Sequence, residues 1–372
     1  MDLSLTEQQE LLKSTARDFM ERECPKEVLL ELEDTETGYS DELWQKAAEI
    51  GWLGMLVPEE YGGSGSTLTD TAVVFEQMGA GPLSGPFFSS GVLGALTVLE
   101  AGTEEQRQRY LPSIAAGREI VTLAYTEPDY GWGPDSVAMR AQPTDGGYVL
   151  SGTKLFVHDA VAANTLVCAV RVRGHEGITL IMVDARAPGL STRLLSGFMG
   201  WVGEVVFDSV EVPASAVLGE PGAGWQPLRR AFKRAVPVLC AYKVGGAQAV
   251  FDMTLEYSRT REQFGTPIGR FQRVQDHIID MVNHLDSARW ATYEALWKLD
   301  ADRPAETSIH LAKAVASEGY YQVCNGAHEV HAGVGVMQEY GLTLHTRMSR
   351  TLYHCLGDPR FHRKRLAATL DL

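Results

Sequence analysis

The stretch Thr260-Arg-Glu-Gln-Phe-Gly265 ends a long helical pattern and is followed at once by Pro267 and Phe271-Gln272, where another helical pattern begins. It places a guanidinium, an amide and an aromatic ring at one turn. A guanidinium is a rigid fork of donors suited to pyrophosphate. A structural interpretation stays open, in which a cationic residue and a core Phe close a helix before Gly265.

Three upstream segments accompany this motif in a fixed order. They are Trp52-Leu-Gly-Met-Leu-Val-Pro-Glu-Glu-Tyr-Gly-Gly63, Ala124-Tyr-Thr-Glu-Pro128 and Gly152-Thr-Lys-Leu-Phe156. Together with the 260–265 motif they resemble the acyl-CoA dehydrogenase family over nearly the whole chain. The resemblance implies FAD as cofactor, an acyl-CoA thioester as substrate and a flavoprotein as electron acceptor.

Composition excludes several classes of protein. The net charge is −15 without any basic run, so we expect no nucleic-acid partner. Five scattered cysteines without a CxxC pair argue against a disulfide framework or a cysteine-based zinc site and favour the cytoplasm. No signal peptide or membrane span is indicated, and no GxGxxG motif follows a strand.

The chain is expected to fold as an α+β protein. Helical spacing runs from about Leu5 to Ala116, short β-rich runs follow between Ile120 and Pro213, and long helices return after Gly224. Four helices are predicted near 224–258, 270–299, 306–332 and 339–354. The resemblance orders these as a helical domain (1–117), a middle β-barrel domain (118–222) and a four-helix bundle (223–372).

In the resembled family each FAD lies between two subunits, and this chain carries both halves of the site. The half that reaches into a neighbour's flavin is matched by Arg261, Gln263, Phe264 and Gln272. The segment Gly326-Ala-His-Glu-Val-His-Ala-Gly-Val-Gly335 resembles a turn that touches the neighbour's diphosphate through Gln and backbone amides. Here Glu329 replaces the glutamine, while Gly333 keeps the second glycine of that turn.

The other half of the site is matched by Tyr125, Thr126, Phe156 and His158. His158 stands where the family has Thr or Ser to bond flavin N5, and as a donor it can take that part or remain a structural residue. Trp132 stands where the family has a serine near the pyrophosphate and thioester. We expect its bulk to crowd that region.

The carboxylate that abstracts the substrate's α-proton in the family is absent. Its usual position falls on Leu356, which cannot accept a proton, and no acidic residue lies between Glu220 and Asp252, the family's second location. Tyr242 and Lys243 stand where small or apolar residues usually line the acyl pocket. Asp358 is a candidate for a relocated base or, alternatively, a helix cap.

Three functions remain open. The chain can be the base-lacking subunit of a heteromeric acyl-CoA dehydrogenase, a homo-oligomeric flavoenzyme with divergent chemistry, or a scaffold without flavin. We favour the first, because the half-site that reaches into a neighbour is better preserved than the other half. The C-terminal helices are then expected to bury against a homologous subunit or another copy, and the chain alone should hold little FAD.

Overall fold

The computed structural model describes residues 4–197, 199 and 201–371. The α+β class is confirmed, because helices precede and follow a sheet in the middle of the chain. No helix in this described part is both long and apolar enough to cross a bilayer.

Several of the helices before the sheet begin at side-chain caps. Thr6 and Gln9 form a capping box at the first helix, Thr103 and Gln106 form one at the last, and Ser40 caps the third. These helices are α1 (Glu7–Glu23), α2 (Lys26–Glu33), α3 (Asp41–Glu49), α4 (Leu68–Ala80), α5 (Ala95–Ala101) and α6 (Glu104–Ala115). A π-helix, which the sequence analysis missed, covers Phe87–Gly94.

The middle strands form one seven-stranded sheet. They are β1 (Val121–Ala124), β2 (Arg140–Pro143), β3 (Gly147–His158), β4 (Thr165–Val172), β5 (Thr179–Asp184), β6 (Leu190–Leu194) and β7 (Val202–Pro213). Their order is β1-β4-β2-β3-β7-β6, and β5 also pairs with β4. The short strands β2 and β6 were missed, because their residues are mostly exposed or half-buried and give no apolar run.

Helices after the sheet match the four predicted ones to within three residues at each end. They are α7 (Trp225–Thr260), α8 (Gln272–Asp300), α9 (Glu306–His331) and α10 (Leu342–Tyr353). A fifth helix, α11 (Pro359–Thr369), was missed and packs on α9. Asp358 caps its start and Pro359 occupies its first turn, which is a sequence signal for a helix N-terminus.

The chain divides into two compact units. One, here called the helical unit, comprises the chain up to Glu31, Leu68–Leu83 and the chain from Val236 onward. The other, the sheet unit, comprises Leu32–Thr67 and Ser84–Ala235. The half-site that reaches into a neighbour belongs to the helical unit, and the other half belongs to the sheet unit.

Candidate active site

The 260–265 motif forms a hairpin at the end of α7. Strands β8 (Glu262–Gln263) and β9 (Thr266–Pro267) pair around a two-residue loop, Phe264-Gly265. Both loop residues have positive φ, 53° and 76°, which is the geometry of a tight hairpin turn. The Phe264 side chain is 94% exposed, so the structural interpretation of it as a core residue is wrong.

The hairpin presents its polar side chains to solvent as well. Arg261, Gln263 and Gln272 are exposed, and no acidic side chain in the described part of the chain pairs with the Arg261 guanidinium. The hairpin backbone is fixed, because Arg261 N donates to Tyr257 O and Ile268 N donates to Arg261 O, both at 2.9 Å. A rigid turn thus offers a cation, two amides and an aromatic ring to something outside this chain.

The turn after α9 brings Glu329 and Gly333 to the surface. Glu329 is exposed on the wall of a polar cavity of about 210 Å³, which His277 and His284 also line. Gly333 is exposed, and a Cβ there would contact nothing within 4 Å. Space alone therefore does not require a glycine at this position.

His331, which the sequence analysis missed, anchors this turn. Its Nδ1 donates to Ala327 O at 2.7 Å, which leaves Nε2 to accept from the Tyr340 hydroxyl at 3.0 Å. Tyr257 stacks on the imidazole with centroids 4.4 Å apart. Burial lowers the pKa of His331, so the neutral ring is the form that holds the turn.

In the sheet unit, Tyr125 and Thr126 are buried at the end of β1. The Tyr125 hydroxyl accepts from Gly133 N at 2.8 Å and donates to Gly133 O at 2.5 Å. It is therefore committed to the loop that follows, and a ligand would meet this tyrosine through its ring or backbone. Thr126 O accepts from Leu155 N at 2.8 Å, which ties this segment to β3.

Phe156 and His158 lie at the irregular end of β3. The pairing of β3 with β7 shifts register between Lys154 and Val157, and Phe156 has φ of 55°. A bulky residue in the left-handed region costs about 1–3 kcal/mol, and such strain clusters at functional sites. His158 is half-buried, and its carbonyl oxygen accepts from the Thr122 hydroxyl at 2.7 Å.

Glu127 and Lys154 form a buried ion pair beneath the sheet-unit half-site. Lys154 Nζ donates to Glu127 Oε1 at 2.7 Å, and both side chains are almost fully enclosed. Glu127 also accepts from the backbone N–H groups of Ala138 and Met139. The Glu127 carboxylate therefore holds the 127–139 loop in place through these backbone N–H groups, and it is bound to the Lys154 ammonium at the same time.

We expect Lys154→Met to lower the free energy of unfolding by about 3–5 kcal/mol, because Glu127 would keep a buried, unpaired charge. Urea unfolding of the full chain measures this loss. Lys46→Met is the matched control, since the Lys46–Glu42 pair is equally short at 2.7 Å but has side chains that are 37% and 75% exposed, and it should cost less than about 1 kcal/mol. Equal effects of the two changes would contradict the buried-pair argument.

At the position of the missing base, Leu356 is buried with φ of 57°. Two residues later, Asp358 Oδ1 accepts from Phe361 N at 2.6 Å as the cap of α11. Of the two interpretations of Asp358, the structure favours the helix cap. His362 Nε2 donates to Leu356 O at 2.9 Å, so the loop is held by α11 as well.

Comparison with known proteins identifies this architecture. Models of the acyl-CoA dehydrogenase N-terminal, middle and C-terminal domains match residues 6–118, 122–210 and 222–370. The chain belongs to the acyl-CoA dehydrogenase family. It is similar to the probable acyl-CoA dehydrogenase YngJ of Bacillus subtilis, with 33% identity over 352 residues that cover 92% of each protein.

Two solved structures show the same fold. The ChsE4-ChsE5 complex from Mycobacterium tuberculosis superposes with a TM-score of 0.90 at 27% identity, covering 100% of this chain and 99% of that one. PigA with FAD and proline superposes with a TM-score of 0.91 at 30% identity, covering 100% of both chains. The fold of the family therefore extends over this whole chain.

FAD is the cofactor of this family, and the exposed hairpin fits it. The Arg261 guanidinium has no acidic partner among the described residues, which suits it to an external pyrophosphate. The Phe264 ring stands almost wholly in solvent at a strained turn, which is hard to explain unless another surface covers it. Arg261, Gln263, Phe264 and Gln272 are the exposed residues that would hold FAD at this hairpin.

Lys243 and Lys313 form a buried pair of amines behind Leu356. Both Nζ atoms donate to Ser317 Oγ, at 2.7 and 2.9 Å, and Lys313 Nζ also donates to Gly357 O at 2.7 Å. No carboxylate in the described part of the chain bonds either amine. Burial lowers the pKa of both amines, and the neighbouring Lys313 helps to hold that of Lys243 well below its ordinary value, so Lys243 gives up its proton first.

This protonation state predicts a pH effect. Because the folded pKa of Lys243 is lowered, the unfolded chain binds the extra proton between that pKa and the ordinary value, and stability rises with pH through this window. Lys243→Met should remove the part of this rise that Lys243 contributes, so the free energy of unfolding of the variant should fall relative to that of wild type from about pH 7 to about pH 10. Urea unfolding at several pH values measures it.

The comparison of Lys243→Met with wild type isolates Lys243, because the titratable groups around it are unchanged. The other titratable groups that influence the pair are present in both proteins, namely Cys240, Cys355, His354, His362 and Asp358. Lys364→Met, at an exposed position of α11, should leave the pH dependence unchanged. If the free energies of unfolding of Lys243→Met and wild type change in parallel with pH, Lys243 is protonated in the folded protein.

Proposed function

We propose that this chain is the base-lacking subunit of a heteromeric, FAD-dependent acyl-CoA dehydrogenase that desaturates an acyl-CoA thioester. The observation that carries the proposal is the buried Leu356 at the base position, with Asp358 committed to the cap of α11. The pathway class is lipid or steroid side-chain degradation in the cytoplasm.

The reaction removes a proton from the α-carbon and a hydride from the β-carbon of the thioester. FAD, when bound, would accept this hydride. Leu356 cannot accept the proton, so the carboxylate base belongs to a homologous partner chain with its own complete site. In that shared site Arg261 binds the pyrophosphate, while Gln263, Gln272 and Phe264 position the rest of the dinucleotide.

The surface of the helical unit supports association with other subunits. Ile279 and Trp290 on α8 and Val336 and Met337 after α9 are large apolar side chains that are each more than half exposed. Apolar side chains left in solvent mark interaction sites when they cluster. The similarity to the ChsE4-ChsE5 complex supports a heteromeric assembly. A tetramer, with a separate flavoprotein as the electron acceptor, is part of the same proposal.

Co-expression tests this proposal. The full chain is produced alone and together with a homologous acyl-CoA dehydrogenase chain that carries Glu where this chain has Leu356. We expect co-purification and dehydrogenation of acyl-CoA thioesters by the mixed assembly, and no turnover by the chain alone. Turnover by the purified chain alone would contradict the proposal.

A homo-oligomeric flavoenzyme with different chemistry is the second candidate. Asp159, next to His158, is buried, its Oδ2 accepts from the Ser89 hydroxyl at 2.5 Å, and its Oδ1 has no hydrogen-bond partner among the described residues. Burial raises the pKa of Asp159 to about 6, so it can hold a proton beside His158. The similarity to PigA with FAD and proline supports other substrates on this fold. Turnover without a partner, lost in Asp159→Asn, would favour this candidate.

A further inference from the structure

A cavity of about 330 Å³ lies inside the helical unit, and none of the residues assigned to the cofactor line it. Its walls come from α1, α2, the end of α4, α7 and the start of α10, and all of its lining residues belong to this unit. Lys243 and Leu356 do not line it either. The cavity is at the small end of the range for small-molecule sites, so it suits a ligand of about ten non-hydrogen atoms.

The inner wall of the cavity is apolar. Met20 and Leu29 are buried there, and Leu344 is 3% exposed. Methionine is unbranched and polarizable, so Met20 and Met253 can adapt to a flexible alkyl chain. Gly81 leaves room for the end of the Met20 side chain, because a Cβ at this glycine would lie 2.5 Å from Met20 Cε. The wall therefore favours an alkyl chain over a rigid ring.

One buried polar side chain, His345, also lines the cavity. Its Nδ1 forms a hydrogen bond with the Tyr320 hydroxyl at 3.0 Å, and Tyr320 is itself 1% exposed. Burial lowers the pKa of His345 to about 4, so the imidazole is neutral at about pH 7. The inner end of the cavity therefore carries no charge, and a charged group of a ligand would lie at the mouth.

The mouth of the cavity carries the charges. Arg17 and Lys26 line it with side chains that are 59% and 47% exposed, beside one carboxylate, Glu21. The contacts of Arg17 with Asp18 and Glu21 are long, at 3.9 and 4.0 Å, and such surface pairs contribute little. The Arg17 guanidinium therefore keeps its donor fork available for a carboxylate from outside the chain, which it can bind with two parallel hydrogen bonds.

We propose that this cavity is a second ligand site, which binds a medium-chain carboxylate of about eight carbon atoms. The alkyl chain lies along Met20, Met253 and Leu344. The carboxylate pairs with Arg17 at the mouth, supported by Lys26. This site requires neither a partner chain, nor FAD, nor thioester chemistry, so it is independent of the proposed function.

A bound ligand would act on α10. This helix supplies Leu344 and His345 to the wall, and Tyr340, just before it, also lines the cavity. The Tyr340 hydroxyl bonds His331, and α10 ends three residues before Leu356. Because the ligand bridges α1 and α10, a hundredfold excess over its Kd should raise the Tm by about 4 °C.

Calorimetry on the full chain, in the oligomer in which it purifies, tests this site with sodium octanoate, octanamide and sodium butanoate. Wild type should bind octanoate with a Kd of about 0.1 mM. Octanamide has the same shape without the charge and should bind about tenfold more weakly. Each buried methylene strengthens binding about fourfold, so butanoate should bind too weakly to measure.

Three variants locate the binding. Arg17→Gln should weaken octanoate about tenfold and remove its advantage over octanamide. Ala80→Leu, at the end of α4, places a larger side chain in the cavity and should abolish binding. Arg22→Gln is the matched control, because it removes an exposed arginine of α1 that does not line the cavity, and it should change no affinity.

Several results would overturn the inference. They are no measurable binding of octanoate, equal affinity for octanoate and octanamide, and unchanged binding in Ala80→Leu. A change in the sedimentation of Ala80→Leu would overturn it as well, since the cavity would then receive a side chain from another copy. If Ala80→Leu does not fold, Arg17→Gln decides, because Arg17 is exposed and its replacement leaves the core intact. Turnover by the chain alone would contradict only the proposed function and would leave these binding results unchanged.

Discussion

Arg261→Ala is expected to abolish the activity of the assembly and to empty its shared cofactor site. Arg261 offers a permanent charge and a donor fork from an exposed, rigid hairpin, and no acidic side chain in the described residues competes for it. Removing it leaves a buried pyrophosphate charge unpaired at a cost of about 3–5 kcal/mol. Flavin content by absorbance and kcat/KM of the mixed assembly measure the loss.

Two further variants test whether cofactor binding needs the bidentate guanidinium of Arg261 in particular. Arg259→Ala changes an exposed arginine in the last turn of α7, outside the hairpin, and should leave flavin content and activity near wild type. Arg261→Lys keeps the charge without the bidentate geometry, so an intermediate loss is expected. If Arg261→Ala is tolerated, the hairpin does not hold a cofactor.

Asp358→Asn should have little effect on activity. Asparagine caps a helix about as well as aspartate, so the bond to Phe361 N survives the change. If Asp358→Asn lowers kcat by orders of magnitude while Arg261→Ala does not, this chain has a relocated base and the partner proposal fails. The two variants therefore separate a shared site from a self-contained one.

Much of the fold could be predicted because long helices have a strong apolar period. The stripe from Phe271 to Leu285 placed α8 to within two residues at its start, and the apolar run of β4 was located to the residue. Helix α11 was missed although Asp358-Pro359 is a helix start, because Pro359 and His362 are its buried residues and they give no apolar stripe. Short exposed strands gave no periodic signal.

The site was predictable only where chemistry follows residue type. An arginine at a turn suggests an anion, and a leucine at a base position excludes proton transfer, so Arg261 and Leu356 could be interpreted from sequence. The engaged Tyr125 hydroxyl, the His331 anchor and the sharing of Ser317 by Lys243 and Lys313 depend on contacts between distant segments. No local pattern reports such contacts. Trp132 was expected to crowd its site, and its buried N–H emerged only from three-dimensional structure.

The second large effect concerns flavin content. The chain purified alone is expected to carry little FAD, because the residues that best match the family's cofactor site extend into solvent and Phe264 is 94% exposed. On co-expression with a homologous partner, the absorbance band near about 450 nm should appear in the purified assembly. A homo-oligomer of this chain with about one flavin per chain would refute this.

A change at Glu329 is expected to alter the flavin content of the assembly. A carboxylate beside a diphosphate is repulsive, so Glu329→Gln should increase flavin retention by the assembly, while Glu339→Gln, at an exposed position nearby, should not. His277 and His284 line the cavity beside Glu329. Identical flavin retention by Glu329→Gln and wild type would remove Glu329 from the cofactor site and leave the hairpin as its remaining support in the helical unit.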